Sequence, residues 1–147
     1  MSVGKIDPQV DSHATSKSPG PGRDILEASA NNFYAEDVTI DDLEGFEEQY
    51  ALNSTLVKRP DGTLEEVIWR AGFDEVVPEG MYGEQIREII GHLEAAIPHA
   101  TPKMARTLGM LVHYYRTGDP VDFRAYNIAW VDDVNSPVDT INGFIEV

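Results

Sequence analysis

The sequence predicts an α+β fold: mainly antiparallel helices, one β-hairpin and a C-terminal strand. Three observations carry this. Apolar residues recur at helical spacing in the second half, between Pro and Gly punctuation. Arg59-Pro60-Asp61-Gly62 separates two short apolar runs. The last ten residues alternate like a strand, with Ile141, Ile145 and Val147 on one face and Thr140, Asn142 and Glu146 on the other.

Residues 1–22 form a low-complexity lead with Ser-Pro-Gly-Pro-Gly at 18–22, read as disordered. Residues 23–147 form the folded part. A short helix is expected from Arg23, with Ile25, Leu26, Ser29 and Phe33 on one side. A second is expected after Thr39, an N-cap followed by Asp41 and Asp42 in the positive first turn, with Leu43, Phe46 and Tyr50 as its stripe. The hairpin spans 56–69: Pro60 suits the first turn position, and Gly62 supplies the positive φ. Ala71-Gly72 closes it, and an acidic loop follows over 73–80.

The longest stripe is Tyr82, Ile86, Ile89, Ile90, Leu93 and Ile97, a helix ended by Pro98. Thr101 caps the next, with Pro102 at its first position, Met104, Leu108, Leu111, Val112 and Tyr115 on its buried side, and Gly118 as the left-handed cap. Asp119-Pro120 opens a further helix carrying Phe123, Tyr126, Asn127, Trp130 and Val134, on which the aromatic stripe Phe123, Tyr126 and Trp130 reads as core. Ser136-Pro137 breaks that helix and leads into the strand at 138–147, whose missing neighbour suggests a piece of something larger.

The chain has 147 residues, enough for one domain, with 26 acidic and 11 basic residues and a net charge of −15. That balance argues against nucleic acid and anionic membrane partners, which need clustered Lys and Arg. The acidity reads first as a surface that keeps the protein soluble, and in functional terms as suited to a cationic partner such as the amino end of a peptide. No cysteine is present, which excludes disulfides, thiolate-bound metal and thiol catalysis. Residues 1–10 lack an apolar signal core, and a cytoplasmic location is expected.

Of the four histidines, His13 lies in the lead. Pro98 separates His92 from His99, Glu88 and His92 form only a pair, and His113 reads as structural. A zinc site needs at least three protein ligands, and no His-Glu dipeptide occurs. Nucleophile-elbow and phosphate-loop motifs are also absent from the sequence.

Several stretches taken in order carry a resemblance. They are residues 51–58 (Ala-Leu-Asn-Ser-Thr-Leu-Val-Lys), Asp61-Gly62-Thr63-Leu64, Glu66-Val67-Ile68-Trp69 and Gly80-Met81-Tyr82. Tyr115-Arg116-Thr117-Gly118-Asp119, Trp130-Val131-Asp132-Asp133 and the closing residues 138–146 follow. Together they resemble the bacterial branch of the dipeptidyl peptidase III family, two-lobed zinc exopeptidases that remove dipeptides from the free N-terminus of oligopeptides. The match runs from about Ser29 to Val147, and Asn142-Gly143-Phe144-Ile145-Glu146 is its sharpest part.

The resemblance implies a zinc site built on an H-E-x-x-G-H helix and a later glutamate, both downstream of the segment matched here. This chain is then expected to be a portion of the parent enzyme. It supplies scaffold and part of the substrate cleft, binds no zinc itself and is inactive alone. Its implied partners are an oligopeptide with a free N-terminus and the remainder of the peptidase. In the family, the acidic residue four positions before the Gly of Gly-Phe-Ile-Glu helps hold the substrate ammonium. That position is Asp139, and the resemblance places Asn142 and Gly143 in the same cleft strand. Animal members carry a Tyr two residues after the acidic position, where this chain has Ile141. From the residues alone, Asp139 as a strand cap and Asn142-Gly143 as a bulge stay open, and so does a free-standing acidic helical interaction module without catalysis.

Overall fold

In the computed structural model, residues 19–29 and 33–143 are described. Among them lie a two-stranded hairpin and three α-helices, arranged in two units that meet in sequence between Val67 and Ile68. The α+β class with antiparallel helices and one hairpin is therefore observed. The reading of 1–22 falls mostly outside the described residues.

In the unit ending at Val67, strands β1 (Ser54–Lys58) and β2 (Leu64–Ile68, which continues one residue past the division) form the hairpin. The turn closes as its sequence predicts. Gly62 donates to the Arg59 carbonyl, Arg59 donates to Thr63, and Asp61 Oδ1 accepts from the Thr63 amide and hydroxyl at 3.0 and 2.7 Å. The outer edge of β1 is paired in part: Leu56 donates to Phe33, and Ala35 donates to Leu56.

Neither early helix forms as expected. Asp24 organises a single turn at 24–29 by accepting from the amides of Leu26 and, across the chain, Ile40. A lone turn cannot recover the cost of nucleating a helix. After Thr39 there is only one 3-10 turn, Ile40–Leu43, and Gly45 leaves helical space at φ +80. A distant side chain takes the amides a longer helix would have used: Glu66 on β2 accepts from Gln49 at 2.8 Å and from Tyr50 at 2.7 Å.

In the second unit, α1 (Gly83–Ala96), α2 (Pro102–Thr117) and α3 (Pro120–Asp132) follow one another through short connections. Their caps are those the sequence signals. Thr101 Oγ1 accepts from Met104, Asp119 Oδ1 accepts from Val121 at 2.7 Å, and Gly118 is left-handed at φ 69. Helix α2 packs against both others, most extensively against α3. One core cluster joins Ile86 and Ile90 of α1 to Val112 and Ala71, and a second joins Leu111 and Tyr114 of α2 to Tyr126 of α3. Ala71 and Gly72 do not close the hairpin. They donate to the Tyr115 and Arg116 carbonyls and so satisfy the end of α2.

Helix α3 stops at Asp132, so Val134 is exposed beyond its end. The strand expected over 138–147 is not formed at 138–143, where the backbone is irregular; residues 144–147 lie outside the described residues. The cause is local. The Asp139 carboxylate accepts the amide of Thr140, and side chains of α2 and α3 take further polar groups of the segment. Such bonds compete directly with a strand ladder.

Candidate substrate-binding segment

Two anchors hold the chain after α3. Ser136 bonds to the Asp133 carboxylate and to Thr101 Oγ1, the N-cap of α2. Past Pro137, three aromatic side chains hold residues 139–142. Trp130 Nε1 donates to Asp139 Oδ1 at 2.8 Å and to the Thr140 carbonyl at 2.9 Å. Tyr115 donates its phenol hydrogen to Asn142 Oδ1 at 2.8 Å, and the hydroxyls of Tyr126 and Thr140 meet at 3.4 Å. These aromatic residues are spaced to line the α2–α3 interface, so each can bury its ring while its polar tip reaches outward.

Asp139 is exposed. Its Oδ1 takes both the Trp130 indole hydrogen and the Thr140 amide hydrogen, the latter at 2.7 Å, and no basic side chain pairs with it among the described residues. The carboxylate is oriented but not neutralised, which suits an incoming cation. Asn142 is half-buried, with its carbonyl oxygen committed to Tyr115 and its amide nitrogen left over. Gly143 is exposed, and an added Cβ there would meet nothing within 4 Å. Its value is unobstructed backbone rather than a tight approach. Ile141 points away from the helices and is 95% exposed. The helical spacing of the α3 aromatics signals core alone, whereas Trp130 also donates to Asp139, a contact that spacing does not predict. A Trp in a half-buried stripe nine residues before an acidic residue was the available signal.

The tyrosines beneath the segment are chemically quiet. Burial, with Tyr115 nearby as a lesser influence, pushes the Tyr114 phenol up to about 12. Burial also raises Tyr115, with Tyr126 adding to it. Both stay protonated at neutral pH, so the Tyr115 hydroxyl remains a donor to Asn142.

The described residues do not fit a zinc ion. His92 and His99 are exposed, and His113 Nε2 lies 3.4 Å from Asp122 Oδ2, already the acceptor for Thr117 at 2.6 Å. No group of three or more potential ligands comes together among the described residues, and two ligands do not make a protein zinc site. None of the described helices is long and apolar enough to cross a membrane.

Comparison with known proteins adds the decisive finding. No curated protein matches the chain. The family model described as peptidase family M49 matches residues 47–147, more than half of the sequence, including the hairpin, all three helices and the 139–143 segment. The chain therefore belongs to peptidase family M49, the dipeptidyl peptidase III family of zinc metallopeptidases.

Proposed function

We propose that this chain supplies scaffold and one wall of the substrate cleft in a zinc-dependent dipeptidyl peptidase, with Asp139 receiving the free N-terminal ammonium of an oligopeptide. The observation that carries this reading is the exposed Asp139 carboxylate, fixed through one oxygen by neutral donors. A carboxylate opposite an ammonium makes a charge-assisted hydrogen bond, and a blocked amine forfeits the charge. Asn142, three residues on, has its carbonyl oxygen bound to Tyr115 and an amide nitrogen to offer, and the open backbone at Gly143 leaves room for a peptide to pair edge-on.

Zinc supplies the Lewis acid for family chemistry, and its ligands are proposed to come from outside the described residues. Ile141 has no hydroxyl to offer a reacting carbonyl, so that help is also assigned elsewhere. On this reading the chain is a portion of a longer enzyme, of the bacterial branch, and is inactive alone. The test is hydrolysis of an arginine-arginine naphthylamide by the purified chain, with and without added zinc. No turnover is expected in either case. Zinc-dependent turnover would contradict the assignment of the ligands to other residues.

A further inference from the structure

We infer that the open groove along α3 is a self-association face: a second copy of this chain packs its own α3 antiparallel against it, about a two-fold axis at Ile128. Ile128 and Val131 lie largely exposed in this groove, apolar area that a neighbouring helix would bury. Charge says which neighbour. The chain carries a net charge of −15, so two copies repel over most of their surface. The groove is different, because two arginines, Arg106 and Arg124, line it against one carboxylate, Asp132. Other arginines in this unit are already engaged: Arg87 by Glu79, Arg116 by Glu94, and Arg70 by the carbonyls of Pro78 and Thr117. Arg106 and Arg124 have no hydrogen-bond or ion-pair partner among the described residues. Two acidic chains can therefore approach each other here.

The register follows from spacing. Arg124 and Asp132 stand four residues on either side of Ile128, about 6 Å along the axis in each direction. Four residues are close to one turn, so all three share one face. Reversing the helix about Ile128 exchanges the two charged positions. Arg124 then faces the partner subunit's Asp132 across the seam, and the reverse contact forms at the other end, while the two Ile128 side chains meet on the axis. A parallel pairing would instead set like charges together. Asp132 is open to this part, since its carboxylate lies 3.7 Å from Lys103 Nζ and its side chain is 76% exposed. A seam one helix wide is narrower than a standard interface, so the dissociation constant is expected on the order of 10–100 µM. The pairing does not draw on the role proposed for Asp139.

The test is sedimentation equilibrium of the whole chain from about 5 to 500 µM, a range that brackets the expected constant. A monomer–dimer equilibrium is predicted. Ile128→Ser should weaken it about tenfold or more, as loss of a central apolar contact does. Urea denaturation at low micromolar concentration sees the monomer, so this loss appears in association and not in stability. Arg124→Glu and Asp132→Arg each place like charges across the seam, and each alone should weaken association about tenfold or more. Mixed in equal amounts, these two variants restore opposite charges at both crossings, and the mixture should associate as the parent chain does. A parent chain that stays monomeric throughout overturns the inference and leaves the groove to another occupant, such as a further segment of a longer enzyme. Association that survives Ile128→Ser overturns the choice of face. Charge variants that associate like the parent, or a mixture that fails to recover, overturn the antiparallel register. Should Ile128→Ser fail to fold, the charge variants and their mixture decide in the same way.

Discussion

Helix α3 carries apolar side chains on two faces, and their fates differ. Tyr126, 2% exposed, faces Leu111 and Tyr114 of α2, with Phe123 and Trp130 flanking it. The rings of Tyr114 and Phe123 lie 4.8 Å apart, centroid to centroid. On the other face, Val121, Ile128 and Val131 are 73%, 63% and 66% exposed, and the latter two lie beside Arg106 and Arg124 along an open groove. Apolarity alone did not decide which side packs. The aromatic face wins because its rings bury more area and their polar tips still find partners in residues 139–142. The aliphatic face offers neither.

That contrast can be broken by substitution. Tyr126→Ala should cost about 3 kcal/mol in urea denaturation, since it empties a closed site and removes the contact to Thr140. A loss below about 1 kcal/mol would mean the α2–α3 interface is not the stabilising one. Tyr115→Phe should cost about 1 kcal/mol, the net worth of one good hydrogen bond, and should release Asn142. Tyr126→Phe should cost less, because its hydroxyl contact at 3.4 Å is long. Ile128→Ser and Val131→Ser should each stay within about 0.5 kcal/mol, as exposed sites do. A larger loss there would show that the aliphatic face is covered.

Protonation sharpens the same comparison. Tyr114 is neutral in the fold, and burial raises its pKa to about 12 from an ordinary 10.0. Its contribution to stability is complete below the unfolded value and is lost as pH rises through the folded one, so the window is pH 10 to 12. Absorbance titration of phenolate, with Tyr114→Phe as the reference, should show this group ionising well above the ordinary value or with unfolding. Ionisation near 10 in the folded protein would mean the inward face is wet.

Where the sequence was legible, the controlling chemistry was local. Thr101-Pro102, Asp119-Pro120 and Gly118 set helix ends through contacts within a turn, and Pro60-Asp61-Gly62 set the hairpin. Where the reading failed, a distant side chain had intervened. Glu66 takes the amides of Gln49 and Tyr50, and no helix forms there. Trp130, Tyr115 and Tyr126 take the polar groups of 139–142, and residues 138–143 do not become a strand. The alternation survived all the same. Thr140 and Asn142 turn towards the helices and Ile141 turns out, so the polar side is the one held. Asp139 was named as a candidate, but the indole that orients it is brought there only by the fold.

Calorimetric titration of the whole chain with trialanine, and separately with its N-acetyl form, tests the claim on which the rest depends. The account predicts that the free amine binds about tenfold or more tightly, the scale of one hydrogen bond between charged groups, and that Asp139→Asn removes the difference. Equal affinity for the two peptides in the parent chain would contradict it.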